Sequence, residues 1–429
     1  MPCKAVFDMK SRLFLNIKGL VGVQEVSVLK TGEQMDDWGM VKDAFLFVED
    51  GKIAAYGSMA LMPEKLAEMS QKGVGGTCVI TDAKGKYVMP AFCDSHTHLV
   101  YAGSREQEFT DKIKGLSYQE IARRGGGILN SADLLSRTSE EELFGSALGR
   151  VKEIMSQGTG AVEIKSGYGL NPKDELKMLR VIARLKEETP LTIKSTFLGA
   201  HAFPARYAAD HNGYVEEIIA EMIPMVAAEG LADYIDAFCE EGFFSVEDTD
   251  RIFNAGIKYG LKPKVHANQM GFSGGVQVGV KYGARSVDHL ESTAQAEFDA
   301  LKGSDTIATI LPGATFFLNM QYAPARKLID CGIPVAMASN YNPGSCPSGS
   351  LQFQMALACI AMKLTPAEAF NACTVNGAFA MDVDDVLGSI TVGKQANIIL
   401  TGEIPSMDFI PYAFTTPFIE KLYIAGEEM

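Results

Sequence analysis

The middle of the chain, from about residue 89 to residue 385, alternates short strand-like runs with helical runs. The helical runs carry apolar residues at three-and-four spacing, as in 173–188, 214–229 and 246–259. The strand-like runs lie near 88–95, 160–165, 192–199, 234–239, 263–266, 284–288, 307–311 and 334–338. Eight strands alternating with helices over roughly 300 residues predict an α/β fold, the (β/α)8 TIM barrel. A doubly wound open sheet is the alternative, although no Gly-x-Gly-x-x-Gly motif follows the first strand.

Both ends of the chain read as short β-strands. Before residue 88, the runs LFLNIKGLVGV, DAFLFVEDGKIAAYG and TCVITDAKGKYV are apolar and punctuated by Gly and Asp. The runs GSITVGKQANIILTG and IEKLYIAGEEM return to this character near the C-terminus. We therefore predict that 1–88 and 386–429 build one small sheet domain, with the barrel domain, 89–385, inserted between its halves.

Charge and composition limit the partners of this chain. The formal net charge of −14 argues against nucleic acid and anionic membranes as partners. The N-terminal residues lack a signal-peptide hydrophobic region, and no segment reaches the roughly 20 apolar residues that span a bilayer. The eight cysteines show no Cys-x-x-Cys spacing, which favours free thiols in a cytoplasmic protein.

Five of the six histidines lie at the ends of predicted strands. His96 and His98 end the first strand, and residues i and i+2 of a strand point to the same face. His201, His266 and His289 follow or end the third, fifth and sixth strands, whereas His211 lies elsewhere. Barrel enzymes keep their chemistry at the C-terminal ends of the strands. The pattern therefore predicts a metal site there.

Longer stretches surround these histidines between about residues 90 and 355: DSHTHLVYAGSRE, RGGGI, EIKSGYGL, FLGAHAFP, CEEGFFS, VHANQ, VDHLE, LPGATFFL and NPGSCPSGSLQ. Together they resemble the amidohydrolase superfamily and, within it, the imidazolonepropionase family of histidine degradation. The ends VEDGKIAAYG and GSITVGKQANIIL are similar to superfamily ends that form a composite β-sandwich.

The resemblance implies hydrolysis of 4-imidazolone-5-propanoate to N-formimidoyl-L-glutamate, in which a metal-bound water cleaves one cyclic amide C–N bond. It implies one metal ion, Zn or Fe, and a homodimer. Its residues fall into three sets. The metal ligands would be His96, His98, His266 and Asn340. The catalytic residues would be His289, which moves the proton of the water, Gln269, and His201, which polarises the ring carbonyl. The residues that contact the small anionic imidazolone would be Arg105, at its propionate, with Tyr118, Tyr168, His201 and Ser345.

Two positions depart from the superfamily pattern. The superfamily has Asp where this chain has Asn340, and Asn offers a carbonyl oxygen but cannot act as a base near neutral pH. Related hydrolases and deaminases place Glu three residues after the fifth-strand His, where this chain has Gln269, which argues against a deaminase. We expect the loss of a proton acceptor to slow the reaction unless His289 takes that role. A natural variant, an engineered change and a paralogue of reduced activity all remain open for Asn340.

Two other functions remain open. One is hydrolysis or deamination of another cyclic amide or aromatic base. The other is a metal-binding but catalytically silent barrel, for which Asn340 is the support. A second metal near Glu163 and Lys165 is disfavoured, because related binuclear enzymes bridge their metals with a Lys on the fourth strand, where this chain has Cys239, Glu240 and Glu241.

Overall fold

The larger part of the fold is a parallel barrel. The computed structural model describes residues 11–65, 78–116, 120 and 126–429. Its eight barrel strands pair in chain order, each parallel to the next. In order, they are Phe92–Thr97, Thr159–Lys165, Thr192–Ala200, Tyr234–Cys239, Val265–Ala267, Ser286–His289, Ile307–Ile310 and Val335–Met337, with a short Lys262–Pro263 segment paired to the fourth. The predicted barrel is confirmed.

The barrel closes where the first and eighth strands end. The amide of His98 donates to the carbonyl of Tyr341 at 2.9 Å, and the amide of Asn340 donates to the carbonyl of His96 at 3.0 Å. Asp94 reinforces the seam by accepting from both the amide (2.9 Å) and the hydroxyl (2.6 Å) of Ser339. Closure thus brings the His-x-His motif beside Asn340, more than 240 residues later in the chain.

The apolar run predicted as one strand near 88–95 is two strands in the structure. Lys86–Pro90 belongs to the small sheet, and Phe92–Thr97 begins the barrel. Pro90 has no amide hydrogen to continue the first ladder. The amide of Ala91 still bonds the carbonyl of Asn397, whereas that of Phe92 bonds Gly158 in the barrel. The periodicity hid this break because both pieces are apolar and buried.

Helices follow most barrel strands. The predicted helix at 214–229 begins at His211 and contains a wider π-helical turn, Ile218–Met222, just before Pro224. Proline lacks the amide hydrogen and crowds the preceding turn, which a wider turn relieves.

The α-helices are Glu106–Ile113, Ile128–Arg137, Glu140–Ser156, Pro172–Glu188, His211–Glu217, Ile223–Glu229, Val246–Lys258, Gly275–Lys281, Gln295–Leu301, Pro312–Leu318, Ala325–Asp330, Leu351–Met362, Pro366–Ala372, Val375–Ala380 and Phe409–Tyr412; the 3-10 turns are Gly32–Asp36, Met59–Leu61 and Ala205–Tyr207.

The two chain ends meet in one eight-stranded sheet. The C-terminal strand Ile398–Glu403 pairs antiparallel with Lys86–Pro90, which pairs with Ser11–Leu20. The remaining strands are Val41–Glu49, Lys52–Ser58, Cys78–Asp82, Ile419–Ile424 and Glu427–Glu428. Their inner faces share one apolar core, in which the rings of Phe14 and Tyr423 pack edge to face with centroids 5.2 Å apart. This pairing supports the division into 1–88 with 386–429 and 89–385, whose exact boundaries stay a prediction.

None of the helices in residues 11–65, 78–116, 120 and 126–429 combines the length and the apolar character that a bilayer-spanning segment needs. The cysteines in the same ranges are unpaired: Cys78, Cys93, Cys239, Cys331, Cys346, Cys359 and Cys373.

Candidate metal centre and active-site cavity

Three histidine side chains converge at the C-terminal mouth of the barrel. Nε2 of His98 lies 3.2 Å from Nε2 of His96 and 3.2 Å from Nε2 of His266. Nitrogen ligands of a tetrahedral zinc ion at about 2.0–2.1 Å stand about 3.3 Å apart. These two separations from Nε2 of His98 therefore fit ligands of one shared metal ion.

Buried carboxylates fix which nitrogen of two of these rings faces the shared point. Nδ1 of His96 donates to Oδ2 of Asp288 at 2.6 Å. Nδ1 of His266 lies 3.0 Å from Oδ2 of Asp236. With the proton held on Nδ1, each Nε2 presents a lone pair to its neighbours. Lone pairs so close together repel unless a cation lies between them, so the donor set is built for a metal.

The charge state of the rings agrees with this arrangement. Burial, reinforced by the charge of Lys165, lowers the pKa of His96 well below its usual range. Burial and the neighbouring imidazole of His201 do the same for the pKa of His98. The pKa of His266 is also lowered by burial, against the opposing charge of Asp236. Neutral imidazoles are the form that ligates metals.

A buried ionic network lies beneath the histidines. The ammonium of Lys165 bonds Oε1 of Glu163 at 2.6 Å and Oδ2 of Asp236 at 2.8 Å. The ammonium of Lys264 pairs with the other oxygen of Glu163. Although burial opposes its charge, Asp236 and Glu163 raise the pKa of Lys165 above its usual range. Lys165 is thus held as a cation by two buried carboxylates.

His289 reaches the same centre from the sixth barrel strand. One of its ring nitrogens lies within 4.8 Å of a ring nitrogen of His96 and of one of His266. Its Nδ1 donates to Oε1 of Glu291 over a long 3.5 Å, and that oxygen also accepts from the hydroxyl of Thr315 at 2.9 Å. His289 itself has φ +90°, a conformation that costs energy for a residue other than glycine and is typical of functional sites. The strand end thus presents Nε2 of His289 as an acceptor.

Asn340 lies in the cavity wall directly after the eighth strand. Its backbone is left-handed, with φ +54°, and Asn is among the residues that adopt this conformation most readily. Its side-chain oxygen accepts from Nδ2 of Asn342 at 3.2 Å, and the same Nδ2 also donates to the hydroxyl of Ser345 at 2.7 Å. A carboxylate at residue 340 could accept the Asn342 hydrogen bond equally well.

A cavity of about 700 Å³ opens above the histidines. Its wall contains Gln269 and most residues predicted to contact substrate, namely Arg105, Tyr168, His201 and Ser345. Tyr118 lies outside the described residues. Burial raises the pKa of Tyr168 above its usual range, so its hydroxyl stays protonated. The cavity thus combines aromatic walls with cations from the first barrel loop.

The predicted role of His201 as a donor to a ring carbonyl stays a prediction, and the hydrogen bond that the structure shows favours the opposite role, that of an acceptor. Nδ1 of His201 donates to the carbonyl of Gly167 at 2.9 Å. Burial, helped by the nearby His266, lowers the pKa of His201 to about 3, so the ring carries one proton. Its Nε2 is therefore an acceptor. It suits an N–H of a heterocycle better than a carbonyl oxygen.

Gln269 is held by a carboxylate of the fourth strand. The backbone amides of Gln269 and Met270 donate to Oε2 of Glu240 at 2.8 and 3.1 Å. Glu240 therefore braces the loop after the fifth strand, a role that the sequence did not reveal. The side chain of Gln269 lines the cavity and is free to contact a ligand.

Sequence reasoning also missed Asp236, Glu291 and Glu108. Asp236 interrupts the apolar fourth strand, YIDAFC, and a charged residue inside a buried strand is a signal that could have found it. Glu291 and Glu108 occupy positions where carboxylates are ordinary in surface loops, and only the folded chain shows them buried beside His289 and Arg105.

Known proteins match this chain in sequence and in fold. The sequence pattern of the Amidohydrolase family matches residues 87–428. An adenosine deaminase from Xanthomonas campestris, solved with bound zinc, shares the fold with a TM-score of 0.68 at 15% identity, over 97% of this chain and 92% of that one. The chain belongs to the amidohydrolase family, which groups metal-dependent hydrolases with this barrel.

Its place within that family follows from closer relatives. The imidazolonepropionase of Christiangramia forsetii is 52% identical over 416 residues, which cover 97% of this chain and 99% of the relative. That of Flavobacterium johnsoniae is likewise 52% identical with the same coverage. The chain is a member of the imidazolonepropionase family.

Proposed function

We propose that this protein hydrolyses 4-imidazolone-5-propanoate to N-formimidoyl-L-glutamate, a step of histidine degradation, with one bound metal ion. The observation that carries the proposal is the convergence of three Nε2 atoms, on His96, His98 and His266, beneath a cavity with an arginine in its wall. The 52% identity to curated imidazolonepropionases supports the choice of substrate.

His96, His98 and His266 would hold the metal, with the side-chain oxygen of Asn340 as the fourth ligand. When bound, such an ion supplies Lewis acidity and can lower the pKa of a water from about 16 to about 7. Both Zn and Fe suit imidazole and oxygen ligands, so we propose one of these two.

His289 would receive the proton of the attacking water. Its Nδ1 proton is engaged by Glu291, which leaves Nε2 as the acceptor near the metal ligands. Asn340 has no basic group, so the proton-accepting role falls to His289. The same ring, once protonated, can return the proton to the ring nitrogen that leaves when the C–N bond breaks.

Substrate contacts come from the cavity wall. Arg105 would bind the propionate, because its planar fork matches a carboxylate. Nε2 of His201 would accept from a ring N–H, and Tyr168, Ser345 and Gln269 would complete the polar contacts. The rings of Phe238 and Phe243, whose centroids lie 4.4 Å apart, form an apolar part of the same wall.

The test is a steady-state assay with freshly made imidazolonepropionate on protein whose metal content has been measured. We expect turnover that disappears in H266A and persists in H211Q, since His211 stacks on Phe203 away from the centre. Full metal occupancy without turnover would overturn the proposal.

Asn340 is the one observation that favours a second candidate, a metal-binding barrel without catalysis. The same assay separates the two, because a silent barrel binds metal and ligand but forms no product. Hydrolysis of another cyclic amide would appear as turnover on that amide alone. The cytoplasmic location and the homodimer remain predictions, and sedimentation of the purified protein tests the latter.

A further inference from the structure

A second cation, Lys112, lies beside Arg105 in the cavity wall. Arg105 immediately precedes the helix Glu106–Ile113, and Lys112 is in its last turn. Both side chains meet the same loop residue, Gly344. Nζ of Lys112 donates to the carbonyl of Gly344 at 3.4 Å, and a Cβ added at Gly344 would collide with Nη1 of Arg105. Two positive groups from one helix therefore face one short stretch of backbone.

Glu108 determines which edge of Arg105 remains available. Nε and Nη2 of Arg105 donate to Oε2 of Glu108 at 2.9 and 2.6 Å. The other oxygen of Glu108 accepts from the amide of Gly127 at 2.8 Å. One side of the guanidinium is thus occupied, and the Nη1 end points toward Gly344 and the cavity.

The charges that the described residues contribute to this wall do not balance. In the described part of the wall, Arg105 and Lys112 supply two positive charges beside the single negative charge of Glu108. Among the residues that the structure describes, Lys112 has one hydrogen bond, which is long, and the ring of Phe317 lies 5.9 Å from its Nζ. Burial, together with the nearby charge of Arg105 and against that of Glu108, lowers the pKa of Lys112. A half-buried ammonium that has N–H donors left over is stabilised when an anion accepts hydrogen bonds from it.

We propose that Lys112 is a second contact for the carboxylate of the substrate and therefore a specificity-determining residue for anionic side chains. The inference rests on the proposed function, because it takes the propionate tail as the anion. Arg105 binds the carboxylate through its Nη1 end, and Lys112 adds a charge-assisted hydrogen bond beside Gly344.

This contact should affect binding more than chemistry. The carboxylate keeps its charge throughout the hydrolysis of the ring, so Lys112 stabilises the ground state and the transition state alike. Interactions of that kind change KM and leave kcat nearly unchanged. The pattern differs from that expected for His289 or Asn340.

The experiment compares K112Q, K112R and the matched control K114Q on metal-loaded protein. Lys114 lies two residues along the chain and is exposed outside the cavity. We expect K112Q to raise KM about ten- to hundredfold with kcat nearly unchanged, K112R to recover most of the loss, and K114Q to behave as the parent. Recovery by K112R excludes misfolding as the cause. An unchanged KM in K112Q, with turnover intact, overturns the role of Lys112 alone.

A binding experiment without turnover tests the inference separately from the proposed function. Calorimetry measures the affinities of the parent and of K112Q for 3-(imidazol-4-yl)propanoate and for its neutral carboxamide. We expect the parent to prefer the carboxylate and K112Q to lose that preference. If the parent lacks turnover but shows this Lys112-dependent preference, the proposed function fails and the inference stands. If the parent neither turns over nor prefers the carboxylate, both fail.

Discussion

Nδ1 of His96 donates to Oδ2 of Asp288 at 2.6 Å, and both side chains are fully buried. Asp288 lies on the sixth barrel strand and also accepts from the hydroxyl of Ser286 at 2.5 Å. The pair fixes both the tautomer and the orientation of the ring, and so points its Nε2 at His98 and His266. Chain segments 192 residues apart are thereby joined into one ligand set.

We expect D288N to weaken metal binding about 10- to 100-fold, the usual cost of losing a carboxylate behind a ligating histidine. The amide keeps the shape of the side chain but no longer favours the Nδ1-protonated ring. Competition with a chromophoric chelator measures the affinity. D299N, a change on an exposed helix, serves as the control and should bind metal like the parent. Equal affinity in D288N would show that the ring is oriented by packing alone.

Asn340→Asp should raise kcat at least about tenfold and tighten metal binding, because it restores both a negative ligand and a proton acceptor. The hydrogen bond from Asn342 to the side-chain oxygen survives the change. Asn319 offers a matched control, since it also lines the cavity and has φ +54°. N319D adds the same charge at the same kind of backbone position and should leave turnover unchanged. Equal activity and metal content in N340D and the parent would refute the prediction.

E291Q should lower kcat by about tenfold or more while KM stays near that of the parent. The carboxylate of Glu291 accepts the Nδ1 proton of His289 and stabilises the ring when it becomes positive. A pH–rate profile distinguishes this from structural damage, since a weakened base shifts the acid limb of the profile. T315S keeps the hydroxyl that supports Glu291 and should retain activity. An unaltered profile in E291Q would remove Glu291 from the proton path.

The metal-free protein should lose stability as the pH falls below about 6.5. The pKa of His201 is about 3 in the folded chain because of burial and about 6.5 when unfolded. Between these values the unfolded chain binds a proton that the folded chain excludes, which costs about 1.4 kcal/mol per pH unit. His96 and His98 act in the same direction. Asp94 acts oppositely, because burial raises its pKa to about 7.

Urea unfolding between pH 7 and pH 5, with a chelator present, measures this slope. H201Q removes one of the suppressed protonations and should flatten the slope by about one proton. If H201Q and the parent show the same dependence, His201 titrates normally in the folded chain.

Much of the fold was visible in the sequence because burial imposes periodicity. The eight predicted strands match observed strands, and five histidines at strand ends located the centre. The prediction of one strand near 88–95 is wrong, because the apolar run passes from one sheet to another at Pro90. Periodicity reports burial, and burial is the same on both sides of that junction.

The sequence by itself determined the class of architecture and the donor types: the alternation predicts a parallel sheet covered by helices, and the His-x-His spacing places two imidazoles on one face. Only the tertiary structure decided which nitrogens act and how. The tautomers of His96 and His201 depend on Asp288 and on the carbonyl of Gly167, and Glu108 orients Arg105 toward Gly344. Hydrogen bonds of this kind join atoms that barrel closure and loop packing bring together, so local sequence carries no record of them.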